Sequence, residues 1–377
     1  MRYNELGMSS RGTEPCFHGG AYESLLGQRL ERLDLLPKVV LADVLDAWFP
    51  PCPGAVEVMQ THGVWATQTA PPIRAEGLEM ELSERLNVNP DCLMVGAGSS
   101  DLIFRALGQW IERTSTVLLT DPSYGEYAHY CKHVAACNVR WWRLNPNDRF
   151  MPSLPPIEHL LREGIDWVFL VNPNNPTGHA VAPSVLEPWL RTVLPSVRVW
   201  LDETYCDLAA MPSLVGMAQS CDNLIVCKSL SKSLALSGLR LGYLVSSSVR
   251  INKLRPFVPP WNIGTLTTLV AFEALRDPSY YEKRYQETRL LRSEFAEALA
   301  PFGEVQPSLA NWINLWLPAQ RSSKLADACR ESGVLVRDLT RTSALYNDRV
   351  LRIAVRSSRE NKRVVEVLHQ MSAAQQC

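Results

Sequence analysis

The 377-residue chain is 46% hydrophobic and carries 39 acidic against 38 basic side chains, a formal net charge of -1. That length suits a large domain with a smaller one. Charge so balanced gives no field to recruit nucleic acid or an anionic membrane, so the expected partner is a small molecule.

No run approaches the roughly 18 apolar residues that a membrane span needs, and MRYNELGMSSRGTEPCFHGG at the start lacks an export signal's apolar core. A cytoplasmic location is expected. The ten cysteines include no Cys-x-x-Cys pair, which points to thiols rather than a disulfide framework. His129, Cys131 and His133 in HYCKH sit at helical spacing, but no further ligand is placed to join them, so no metal site is expected.

In chain order, residues 1–27 read as an N-terminal arm. Residues 28–60 are expected to join 270–377 in a small α+β domain, with 61–269 forming the large one. Between about 90 and 246, short β-rich runs alternate with helical lengths: LMVG, TVLLTD, VRWWRL, DWVFLVNP, VRVWLDE, NLIVCKS and LRLGYLVS. They predict an α/β domain whose seven-stranded, mostly parallel sheet is covered by helices. After Pro259 and Pro260 a charged helix (about 279–300) leads to NWINLWL, VLVRDL and VLRIAVR, the strands of the smaller domain.

Open α/β sheets bind ligands at the carboxyl ends of their strands, and polar groups follow most of these runs. Gly98-Ser99-Ser100 stands between a strand and a helix, where backbone N–H groups can cradle a phosphate. Ser229, Ser231 and Arg240 add anion-binding groups around Lys232. An ammonium in so apolar a run as CKSLSKSLALSGLRLGYL is costly unless it has a task. Walled from water beside another cation, Lys232 would give up its proton readily and attack an aldehyde to form a Schiff base. Lys228 is the competitor, but it falls where the strand should still be paired. Asp202 ends VWLD, where a half-buried carboxylate calls for a cationic partner such as a protonated pyridine nitrogen. Asn175 and Tyr205 can hydrogen-bond a phenolate oxygen, and Tyr124 can stack on a ring. Together these groups describe pyridoxal 5'-phosphate.

The motifs VNPNNPTG, LDETY, SLSK…SGLRLGYL, GAGSSDLI and DPSYGEY resemble those of fold-type I pyridoxal-phosphate enzymes of the class I/II aminotransferase superfamily, in order over roughly residues 30–365. The resemblance implies that Lys232 bonds the cofactor, Asp202 meets its ring nitrogen and Tyr205 with Asn175 its phenolate oxygen. It implies that Tyr124 stacks on the ring, that Gly98, Ser99, Ser100, Ser229, Ser231 and Arg240 hold the phosphate, and that Arg352 grips the substrate carboxylate. Within the superfamily the chain is similar to histidinol-phosphate aminotransferase and threonine-phosphate decarboxylase. His18, Phe49 and Arg356 resemble substrate-binding positions of that branch.

The chain departs from the pattern at two places. The usual Asn-x-Asn-Glu-Asn-Pro segment is Leu45-Asp46-Ala47-Trp48-Phe49-Pro50, read here as lacking polar groups for an imidazole or phosphate. The tyrosine that a neighbouring subunit lends to the cofactor phosphate is missing from Val64 to Pro72, where a threonine is the substitute. With the added tryptophans, these changes predict a bulkier or more aromatic substrate. The implied activity is transamination of an amino acid in a homodimer with shared sites, the alternatives being α-decarboxylation and β/γ-elimination or replacement. Ser229-x-x-Lys232 also fits the serine β-lactamase motif, but its companion motifs are absent.

Overall fold

The computed structural model describes residues 19–319 and 321–374. Its strands in chain order are β1 (Val40–Leu41), β2 (Leu93–Gly96), β3 (Thr116–Asp121), β4 (Asn138–Arg143), β5 (Trp167–Val171), β6 (Arg198–Asp202), β7 (Leu224–Ser229), β8 (Gly242–Val245), β9 (Glu304–Gln306), β10 (Trp312–Trp316), β11 (Val334–Leu335), β12 (Arg337–Asp338) and β13 (Val350–Ala354).

Seven of them form one sheet in the order β2-β8-β7-β6-β5-β3-β4. Only β8 runs antiparallel to its neighbours. The expected mostly parallel sheet is therefore present. Strands β5 and β7 are buried along their whole length, as helices on both faces require. The exception is β4, an edge strand with no buried residue, where VRWWRL had suggested a covered one. Two hydrophobic cores lie against the sheet, one around Leu170, Leu201 and Val226, the other around Phe169, Trp200 and Ile225. Successive residues along each strand point to opposite faces, which divides them between the two cores.

The smaller domain carries the antiparallel sheet β12-β13-β10-β9. VLVRDL does not make one strand. It splits at Val336, with β11 pairing to β1 and β12 to β13. The β1–β11 pair ties the early segment to the C-terminal part, and both expected boundaries fall inside helices. Residue 60 lies within the helix Pro53–Gln68 and residue 269 within Thr265–Arg276. Those two helices pack on each other, joining the domains through continuous elements.

The small sheet is hydrogen-bonded to the turn that follows β5. Trp312 Nε1 and Asn314 Nδ2 donate to the Pro176 carbonyl at 2.9 and 2.7 Å, and Gln306 Nε2 donates to that of Thr177 at 3.0 Å. Among the described residues no helix is long and apolar enough to cross a membrane.

Candidate active site

The carboxyl ends of β5, β6 and β7, together with the turn that opens the helix Ser99–Trp110, converge where the small sheet meets the large one. Gly98 is the N-cap of that helix, with φ of 86° and ψ of 169°. Few residues but glycine adopt that conformation. A Cβ there would lie 2.5 Å from Arg240 Nη2, so the guanidinium sits directly over the bare backbone at the helix's positive end. Arg240 Nη1 donates to Ser231 Oγ at 3.3 Å and to the Ser237 carbonyl at 3.0 Å. Ser229 caps the short helix Leu230–Ser233, its Oγ accepting from Ser231 N. Gly98, Ser99, Ser229, Ser231 and Arg240 are thus brought together, a set of donors that could hold an anion. Ser100 is turned away from it, donating from Oγ to Glu126 at 3.0 Å.

Asp202 at the end of β6 is 4% exposed. Burial pushes its carboxyl above the usual range, while hydrogen bonds from Tyr127 Oη at 2.6 Å and Thr204 N at 2.9 Å pull the other way. Trp200 Nε1 donates in turn to Tyr127 Oη at 2.9 Å, fixing that phenol. Tyr124 is held by its hydroxyl, which donates to Glu126 at 2.6 Å, and its ring meets Tyr127 edge-on.

Asn175 and Tyr205 are together, with Nδ2 donating to Oη at 3.4 Å. Burial raises the Tyr205 phenol, opposed by the charge of Arg352. Arg352, in β13, donates to Asn175 Oδ1 at 2.7 Å and to the Asp43 carbonyl at 3.0 Å. Its Nε is buried without a hydrogen-bond partner. Burial and then the nearby Arg337 charge bring its pKa down to about 10, with Tyr205 and Asp43 opposing.

The two lysines of the 227–244 run have separate surroundings. Lys228 is buried in β7 and donates to Asp207 at 2.7 Å. Lys232 stands at the crevice, its side chain 22% exposed, and donates to Asp46 Oδ1 at 2.6 Å. Its bonded partner is a carboxylate, which a cation, Arg356, also approaches. Asp46 was not read from the sequence because it sits alone among apolar residues, yet it corrects the reading of residues 45–50 as lacking polar groups. Ser237 Oγ also donates to Asp46 Oδ1, at 2.7 Å. Burial would raise the Asp46 carboxyl, but the charge and hydrogen bond of Lys232, with Ser237 and Arg356, leave it below the ordinary value.

Arg337 is a second residue that the sequence did not single out. It donates to the Asp43 and Gly19 carbonyls, near Arg352. The signal was available in VLVRDL, where one arginine interrupts a strand that then splits. Arg356 is brought near, but its Nη1 donates to the Asp46 and Ala47 carbonyls at 3.1 and 3.5 Å, and its Nε is 3.5 Å from Glu360. Phe49 is 4% exposed, with its ring packed against Trp48 and Tyr281 in the core, so no contact brings it to the crevice. His18 lies outside the described residues. The rings of His129 and His133 are 5.0 Å apart on a short helix, and no group of three or more metal-ligating side chains occurs among the described residues.

This donor set fits pyridoxal phosphate. It provides a phosphate cradle bare of side chain at Gly98, a buried carboxylate for a ring nitrogen, paired donors for a phenolate oxygen and an accessible amine.

The family Aminotransferase class I and II matches residues 64–368. Histidinol-phosphate aminotransferase of Xanthomonas oryzae pv. oryzae is 30% identical over 318 residues, spanning 82% of this chain and 86% of its own. The Acinetobacter baylyi protein of that name is 28% identical, spanning 85% and 87%. Among solved structures, histidinol-phosphate aminotransferase from Sinorhizobium meliloti in complex with pyridoxal-5'-phosphate aligns with a TM-score of 0.81, at 19% identity over 97% of this chain and all of that one. L-threonine-O-3-phosphate decarboxylase from Porphyromonas gingivalis aligns at 0.77, with 21% identity over 89% of this chain and all of that one. With a family match across most of its length and the crevice just described, this chain belongs to the class I and II aminotransferases, which are pyridoxal-phosphate-dependent enzymes.

Proposed function

We propose that Lys232 carries the cofactor and that the enzyme transfers the amino group of an amino acid whose carboxylate is held by Arg352. The observation that carries this reading is the contrast between the two lysines. Lys228 is locked in the core by Asp207, whereas Lys232 reaches the crevice between the anion cradle and Arg352.

When bound, the cofactor supplies an aldehyde and an electron-withdrawing ring that weakens the bonds at a substrate's Cα. Asp202 would hold the ring nitrogen charged, in a site where Tyr127 and Thr204 already orient the carboxylate. Tyr205 and Asn175 would hold the phenolate oxygen. Gly98, Ser99, Ser229, Ser231 and Arg240 would hold the phosphate. Arg352, anchored by Asn175 and the Asp43 carbonyl, takes the substrate carboxylate and so fixes which bond at Cα stands ready to break. Once displaced by the substrate's amine, the Lys232 amine is the base that moves the proton from Cα.

A homodimer is part of this proposal. Trp65 and Trp261 are 52% and 56% exposed, and the Trp261 amide donates to the Ile73 carbonyl, which brings the segments of two exposed apolar side chains together.

Borohydride reduction of the purified yellow protein, followed by peptide mass analysis, is the test. The cofactor is expected on the peptide containing Lys232, and its recovery on Lys228 or on neither would refute the assignment. With an amino-acid donor and a keto-acid acceptor, keto acid should form without carbon dioxide; release of carbon dioxide instead would assign the enzyme to decarboxylation.

A further inference from the structure

Tyr124 and Glu126 are joined by a bond that the chemistry proposed above does not use. Glu126 is 4% exposed. Its Oε2 accepts from Tyr124 Oη at 2.6 Å and from Ser100 Oγ at 3.0 Å. Those partners are hydroxyls rather than a cation, and a carboxylate buried on such terms costs stability that some role must justify.

The surroundings of Tyr124 supply the role. The residue stands before the short helix Gly125–His129 in an extended conformation, with φ of -65° and ψ of 119°, so no regular element fixes its side chain. Its ring is only partly buried and meets that of Tyr127 edge-on, with centroids 5.7 Å apart. Beside it opens a cavity of about 200 Å³, lined by Tyr124 together with Leu119, Tyr127, Trp141, Phe169 and residues 342–344 of the small domain. A phenol fits such a space, so the ring has a second place to go. What ties it is its hydroxyl. Burial, and after it the Glu126 charge, hold the Tyr124 phenol well above its usual range, which keeps the proton on the oxygen and the bond to Glu126 intact.

Glu126 is itself anchored from another element. Ser100 belongs to the first turn of the helix Ser99–Trp110, which Gly98 caps, and it points its hydroxyl at Glu126. The bonds therefore run from the helix that opens at the phosphate donors, through one carboxylate oxygen, to the ring of Tyr124. A hydrogen bond from a hydroxyl to a carboxylate at 2.6 Å is of the strong, charge-assisted kind. Tyr127 completes the frame, its ring against that of Tyr124 and its hydroxyl on Asp202.

Resting on the cofactor's place proposed above, we propose that Glu126 is a positioning residue, which holds the ring of Tyr124 against the cofactor and keeps it from turning into the adjoining cavity. A ring already in place loses no freedom when the cofactor stacks on it, so the site keeps the cofactor longer and in one orientation.

The test compares holoenzymes by two readouts, the rate of cofactor loss on dialysis and the circular dichroism of the cofactor's visible band, which reports how the chromophore is held. Glu126→Ala and Tyr124→Phe each free the ring, and each should speed the loss about threefold to tenfold and shrink the dichroism. The double variant should do no worse than either, because both changes cut the same bond. Glu126→Gln keeps an oxygen to accept from Tyr124 and should stay within about twofold of the wild type. Additive losses in the double variant would make Glu126 a support for Ser100 alone, and slower loss in Glu126→Ala or Glu126→Gln would show the carboxylate repelling the phosphate; either result overturns the proposal. Should Glu126→Ala not fold, Tyr124→Phe carries the test, since unchanged retention and dichroism in that variant would also overturn it. Failure of borohydride to fix the cofactor at Lys232 would instead remove the reading on which the proposal rests; with Lys232 labelled, these outcomes bear on Glu126 alone.

Discussion

Lys228 and Lys232 are four positions apart, and their different fates turn on what each amine meets. The ammonium of Lys228 is out of water and paired with Asp207. Asp207→Ala should cost on the order of 3–5 kcal/mol in chemical denaturation, because it strands a buried charge, whereas Lys228→Met should be tolerated far better. Neither change should alter which peptide carries the cofactor after borohydride. At this scale the sequence was most legible where a residue type has few other uses. Asp202 at a strand end, Asn175 in its turn and Lys232 beyond a strand were all readable from chemistry. Asp46 and Arg337 were not, because their meaning comes from partners about 190 and 15 positions away in sequence, at Lys232 and Arg352, and no local pattern encodes that approach.

At the level of elements, the turn before the helix Ser99–Trp110 shows how backbone shape can serve as a binding group. Gly98→Ala would place a methyl against Arg240 in a conformation that costs a side-chain-bearing residue about 1–3 kcal/mol. The expected outcome is a folded protein with weakened cofactor retention, measured by dialysis and absorbance; full retention would show that the cradle is not where the phosphate sits. The strands themselves were legible because burial on both faces produces continuous apolar runs, but Trp141 and Trp142 made β4 read as covered although it is an exposed edge. VLVRDL misled for a physical reason: five residues suffice for two short pairings to different sheets, and composition does not say where the chain changes partner. The expected boundaries near 60 and 269 lie within helices, since a helix can begin in one domain's packing and end in the other's.

For the whole molecule, the two domains meet at a polar seam that includes His179. Burial lowers its pKa, with the Arg149 carbonyl and Asp148 opposing, and the Gln306 amide nitrogen lies 2.9 Å from Nε2, an arrangement suited to a neutral ring. A histidine depressed in the folded state binds fewer protons there than in the unfolded chain. Its contribution is therefore present above its ordinary pKa near 6.5 and is lost as pH falls below that value. Thermal unfolding between pH 7 and 5 should show a decline that His179→Gln flattens; an unchanged slope would place the sensitivity elsewhere. Assembly is testable at the same scale. Trp65→Glu should convert a sedimenting dimer into monomers with loss of activity, and a wild-type protein that sediments as an active monomer would refute the shared site.

The bonds from Trp312, Asn314 and Gln306 to the Pro176 and Thr177 carbonyls fasten the small domain to the very loop that carries Asn175. Such a joint acts as a pivot post. Asn311 and Arg352, beside it, also hold the Leu45 and Asp43 carbonyls, so the segment that carries Asp46 would stay with the post when the rest of the small domain rocks.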